Sequence, residues 1–198
     1  EIYENLYTDF NNQKYIDVIE KCDTYIIDFQ GEPIVTKFEF LKALAIARVY
    51  GFKEYEKALT FIKLNYSSTI EGKEAERILD EVLPTVKNDR FLKNDLSDNY
   101  KIVYQFDTAS NSDIDSQITT LKKYIDKVDY LDLTVSEDFY NNIVTFVVVH
   151  GLKSYDGSLG LAERLENSID IQAKSFFVIS TDNYKTIQIH KNLDKFEK

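Results

Sequence analysis

Hydrophobic positions in the first 87 residues recur at the spacing of a helix. In residues 15–26, Tyr15, Ile16, Ile19 and Cys22 form one stripe, with Tyr25 and Ile26 a turn further on. Residues 37–52 place Phe38, Leu41, Ala45 and Val49 at the same period, and Gly51 breaks it. Residues 72–84 close the run, with Ala75, Ile78, Leu79 and Val82 expected inward and Pro84 as a stop. After residue 97 the period changes. "YKIVYQF" alternates, putting Ile102, Tyr104 and Phe106 on one face of a strand. Ile114, Ile118, Leu121, Ile125 and Val128 mark an amphipathic helix, with Ser112 as its N-cap. Leu131, Leu133 and Val135 face inward from a second strand, and "FYNN" turns into a third. That strand, 143–149, is apolar on both faces and therefore central. A short helix through Leu159, Leu161, Ala162 and Leu165 precedes a fourth strand, "SFFVIS". The tail 183–198 fits a strand through Ile187 and Ile189, or a helix through Tyr184, Ile187 and Lys191.

The helical half repeats itself. Residues 15–19, "YIDVI", correspond to 55–59, "YEKAL", at an offset of 40, and the turns "NNQKY" and "GFKEY" precede them. This resembles tetratricopeptide units, whose length is about 34 residues, lengthened here by the connection "FQGEPIVTK". The second half reads β-α-β-β-α-β plus a tail, the ferredoxin-like arrangement. The expected fold is α+β: tetratricopeptide-like helical repeats over 1–90, then a ferredoxin-like domain over 97–198. The boundary falls in the polar stretch 92–100, "LKNDLSDNY".

Charge narrows the partners. The chain carries a formal −10, with 13 Lys/Arg against 18 Asp/Glu in residues 1–96 and 11 against 16 in 97–198. Both halves repel phosphate backbones and anionic lipid, so no nucleic-acid partner is expected. Cys22 is the sole cysteine, which excludes an intrachain disulfide and a cysteine-based zinc site. No apolar run approaches the ~20 residues of a membrane span. The chain opens on Glu1 in mid-helix pattern and reads as a piece of something longer.

One segment invites a catalytic reading: "TFVVVHGLKSYDG", where a buried strand ends at His150 and Gly151. Catalysis needs an oriented base or a nucleophile within reach. Ser154 and Asp156 are near in sequence, but no nucleophile-elbow motif surrounds them, and His190 is forty positions away without metal-site spacing. His150 is therefore expected to be a strand-end residue. The loop "FDTASNSDIDS" is acidic and would repel an anion, and Asp113 and Asp115 read as helix-start charges. No phosphate-binding or dinucleotide fingerprint occurs, and no catalytic residue, cofactor or metal is expected.

The phrases "FQGEPIVTKFEFLKALAIARVYGFKEYEKALTFIKLNYSSTIEGKEAERIL", "TFVVVHGLKS" and "FFVISTDNYKTIQIHKNLDKF" resemble the C-terminal region of the SprE/PorW proteins of Bacteroidetes. Those are tetratricopeptide-containing outer-membrane lipoproteins of gliding motility and type IX secretion. The resemblance implies a non-enzymatic, periplasm-facing scaffold that binds other protein components of that machinery. It reaches the membrane only through a lipid anchor upstream of residue 1. Cys22 is not that anchor, because "IEKCD" lacks a lipobox and the residue lies on an apolar stripe. Glycan or ligand recognition by the second domain is the alternative, and an enzyme centred on His150 a third. For the scaffold, Tyr3 and Tyr7 share one face of the first helix, and tyrosine suits an interface. Lys37 and Arg48 of the third helix are expected to add charged contacts.

Overall fold

Each helical stripe in the first part of the chain becomes a helix, and the turn residues decide where it stops. The computed structural model describes residues 1–93, 97–109, 111–127 and 132–197, without the side chains of Asn111 and Ser112. Helices α1 (Ile2–Asn11) and α2 (Tyr15–Asp28) flank a turn in which Gln13 takes a left-handed φ of 60°. Gly51 alone separates α3 (Val35–Tyr50) from α4 (Phe52–Asn65), at φ 82°. A Cβ there would stand 2.8 Å from the Ile189 carbonyl oxygen, so conformation and space both demand glycine. Thr69 caps α5 (Ile70–Arg77) by accepting the Gly72 N–H at 3.0 Å.

Pro84, expected as a stop, lies instead in the first turn of α6 (Leu83–Val86). Between them Ile78–Val82 forms a π-helical turn, in which the Leu83 N–H reaches back to the Ile78 carbonyl. A proline lacks the donor and crowds the carbonyl four residues earlier, and a widened turn just before it relieves that crowding. The added residue also rotates the face: Val82 points outward and Leu83 inward. A second correction concerns α2, whose buried residues are Tyr15, Val18 and Cys22, while Ile16 and Ile19 are half-exposed. Burial fits more than one offset between the two stretches: Tyr15 with Phe52 and Cys22 with Leu59 lie 37 apart, and Cys22 with Ile62 lie 40 apart, all buried. Three residues are close to one turn, so periodicity alone does not separate the two registers.

The second part is a four-stranded sheet of β1 (Tyr100–Asp107), β2 (Thr134–Phe139), β3 (Val144–Leu152) and β4 (Ser175–Ser180). The order is β2-β3-β1-β4 with antiparallel neighbours throughout, and β3 is central as its sequence predicts. Asn141 closes the β2–β3 hairpin by accepting the N–H groups of Ile143 and Val144. Helices α7 (Asn111–Ile125) and α8 (Tyr155–Ser168) supply Ile114, Leu121, Leu161, Ala162 and Leu165 to one face. There they meet Ile102, Tyr104, Phe106, Val147, Val149 and Val178, the alternate positions that period-2 reading assigns to a core. Each such side chain contributes about 1.5–3 kcal/mol on burial. Ser112 as a cap, Val128 and Leu131 lie outside the described residues.

The tail is helical: α9 (Thr181–His190), then α10 (Leu193–Phe196). The chain divides into two compact units, residues 1–89 with 188–198, and residues 90–187. Residues 188–198, expected with the sheet, thus group with the helices. His190 Nε2 meets the Val86 carbonyl oxygen at 2.9 Å, its ring lies 5.2 Å from that of Phe52, and Lys195 pairs with Asp89 at 2.8 Å.

Candidate functional site

The sheet unit answers the question His150 poses. β3 runs past it to Leu152, and Tyr100 pairs with Leu152 while Ile102 pairs with Val149. Lys101 therefore faces two residues, His150 and Gly151, in a β-bulge, with Gly151 at φ 93°. A Cβ on Gly151 would fall 2.2 Å from the Asp132 carbonyl oxygen, so only glycine fits. The bulge sets Lys101 Nζ 2.9 Å from His150 Nδ1, and Ser136 Oγ of the neighbouring β2 lies 2.7 Å from Nε2. Ser136 Oγ–H donates to Asp138 Oδ1 at 2.9 Å, and Tyr184 O–H donates to Asp138 Oδ2 at 2.6 Å. Lys101 Nζ also lies 5.6 Å from the centre of the Tyr184 ring.

His150 thus has a serine, a carboxylate and a lysine around it, which its sequence neighbourhood does not show. The direction of the bonds decides what they do. An ammonium only donates, so Nδ1 accepts from Lys101 and the neutral ring carries its proton on Nε2. That proton goes to Ser136, whose own hydrogen is committed to Asp138. In a nucleophilic triad the polarity is reversed: serine donates to the imidazole and the imidazole to the carboxylate. Here every donor points toward Asp138, and His150 is not poised to take the serine proton. Burial, then the charge of Lys101, holds the His150 pKa below its usual value, with Asp138 opposing. Burial also lowers that of Lys101. The ring is neutral, as the bonding requires.

Of the residues nominated for partner binding, three come together and one stands apart. Tyr3 is half-buried against Phe38, ring centres 6.3 Å apart, and stacks on Tyr7 at 6.4 Å. Lys37 Nζ stands 5.9 Å over the Tyr3 ring, and Tyr7 is 49 % exposed beside Phe10. Arg48 is exposed on the same side of α3 but three turns, about 16 Å, further along the helix. Tyr3 and Lys37 support each other as structure, and Tyr7 is the open aromatic.

A second feature of the helical unit lies on the other side of α3. Ile46, nine positions from Lys37, is half a revolution round the helix. It belongs to a solvent-open groove of about 450 Å³, lined by Ile19 of α2, by Glu39, Lys42, Ala43, Ile46 and Tyr50 of α3, and by α4. From α4 come Ala58 and Phe61, with Glu54 and Lys57 at the edge. Tyr50 and Phe61 are 54 % and 47 % exposed, large apolar surfaces left open to water. Sequence reasoning missed the groove because it took the first helix of each repeat as the ligand face. The available signal was "IARVYGF" with "ALTFI", apolar residues left over once the buried stripe is assigned.

Cys22 is buried in α2, and burial pushes its thiol up to about 12, so it stays protonated. Among the described residues no three His, Cys, Asp or Glu side chains are placed to hold a metal ion. Likewise, no helix among them is long and apolar enough to cross a membrane. No family model matches the chain, and no curated protein matches it.

Proposed function

We propose that this chain is a non-enzymatic protein–protein interaction scaffold whose helical unit receives a partner in the α2–α3–α4 groove. The observation that carries the reading is the groove itself: apolar floor, charged edge, and two large aromatic side chains exposed to water. Tyrosine and phenylalanine in such a setting bury large areas on binding. The paired helices α1/α2 and α3/α4, with α5 beginning another pair, support a tetratricopeptide-like reading of this unit. The β-α-β-β-α-β order with strand order β2-β3-β1-β4 supports a ferredoxin-like reading of the other. The inverted polarity around His150 favours a structural role there over catalysis.

The sequence phrases shared with the SprE/PorW proteins extend the proposal to a setting. In it, the chain is an envelope module on the periplasmic side of the outer membrane, serving type IX secretion and gliding motility. Its partners are other proteins of that machine. The test is affinity purification from envelope extracts with the full chain as bait, wild type against Phe61→Asp. Phe61 is half-exposed, so the variant keeps its helicity by circular dichroism. Specific proteins retained by wild type and lost with Phe61→Asp are expected. Identical captures from both baits would end the groove reading.

A further inference from the structure

Resting on that reading of the groove, we infer that its occupant is a basic amphipathic helix. It sets a lysine or arginine against Glu39 and apolar side chains between Ile46, Tyr50 and Phe61. The backbone argument comes first. All three walls are helices, whose mid-helix N–H and C=O groups are already paired, so an extended segment would find no main-chain partners there. Recognition must go through side chains. Glu39, Ala43, Ile46 and Tyr50 follow one another at i, i+4, i+7 and i+11, a stripe of three turns. A second helix presents anchors at the same period.

The charge argument selects the sign. Both lysines at the groove are already engaged: Lys42 Nζ with Asp23 at 2.5 Å, and Lys57 Nζ with Glu54 at 2.6 Å. Glu39 is half-buried, and among the described residues its carboxylate has neither an ion pair nor a hydrogen bond. Burial raises its pKa, with Lys42 opposing. A cationic side chain delivered by the ligand would satisfy it with a charge-assisted bond. The formal charge of −10 steers basic segments toward the surface and repels a second copy of this acidic chain.

The experiment is selection of a phage-displayed library of helix-biased random peptides on the full chain. Counter-screens use Phe61→Asp and, as a second groove variant, Tyr50→Ala. Peptides that need Phe61 or Tyr50 are expected to carry Lys or Arg three or four positions from an apolar pair. They should bind Glu39→Gln about ten-fold more weakly, since one charge-assisted bond is lost. Glu39→Lys should select acidic peptides instead. Groove-dependent peptides with no basic preference and equal affinity for Glu39→Gln would overturn this inference and leave the scaffold reading standing. Absence of any groove-dependent peptide would overturn both. A dimer in sedimentation that Phe61→Asp dissociates would assign the groove to a second copy and overturn the basic-helix occupant.

Discussion

His150 shows how far a single residue's role depends on bonds between strands. Its spacing along the sequence announces a strand end, yet its partners Lys101 and Ser136 come from β1 and β2, and the chain of bonds runs on through Asp138 of β2 to Tyr184 of α9. Protonating the ring would place a second cation beside Lys101 and remove the acceptor that Lys101 uses. The folded state therefore binds fewer protons than the unfolded one between the depressed pKa and the free value of 6.5. Asp138 opposes this shift, and Lys101, with Lys185 near it, adds to the positive side. Stability contributed by His150 is thus complete above about pH 6.5 and is lost as the pH falls through that window. Thermal melts of wild type and His150→Ala should differ most at about pH 8. The difference should shrink by a few degrees toward about pH 5. A difference that stays constant across that range would mean that the ring's protonation is not coupled to folding.

At the scale of elements, local propensity and packing sometimes oppose each other, and α5 is a case where the sign is decidable. Gly72 sits inside α5, where alanine would be favoured by about 1 kcal/mol on helix propensity alone. A Cβ at that position would stand 1.9 Å from the Tyr66 carbonyl oxygen, which is backbone and does not yield cheaply. Gly72→Ala should therefore destabilise the protein by roughly 1–3 kcal/mol, measurable in urea unfolding. An unchanged or higher midpoint would show that the α4–α5 turn relaxes without cost. The π-helical turn before Pro84 is a similar compromise: one irregular turn lets the chain keep helix on both sides of a residue that ordinarily ends it.

For the whole molecule, the notable fact is that the chain's end returns to its first unit. Residues 188–198 place Ile189 with the cluster of Phe52, Leu59, Ile62, Ala75 and Ile78, and bury Leu193. Burial of Leu193 stabilises by about 1.5–3 kcal/mol before ordering costs, and the partly buried Ile189 adds a smaller amount. A chain ending at Ile187 should melt its helical unit several degrees lower, seen as an earlier loss of helical signal in circular dichroism. An unchanged helical transition would show that the tail adds nothing to the unit. Residues 188–198 thus belong to the helical unit, although the sequence pattern ends the helical block at residue 90.

Periodicity alone determined the class of nearly every element, because burial of one face imposes period 3.6 on a helix and period 2 on a strand. Phe38, Leu41, Ala45 and Val49 inward on α3, and Ile102, Tyr104 and Phe106 inward on β1, were legible for that reason. The central position of β3 was legible from a run apolar on both faces. What periodicity leaves open is any shift by about one turn, so the buried face of α2 was decided only by packing. The same holds for the course of the chain past Pro84, since a π turn has no signature in the hydrophobic pattern. The groove and the Lys101–His150–Ser136–Asp138 chain escaped the sequence for a different reason. Both join residues far apart along the chain, and one sequence contains no record of which strands or helices will be neighbours. Tertiary structure alone put Ser136 against His150 and gathered Phe61, Tyr50 and Glu39 around one open groove.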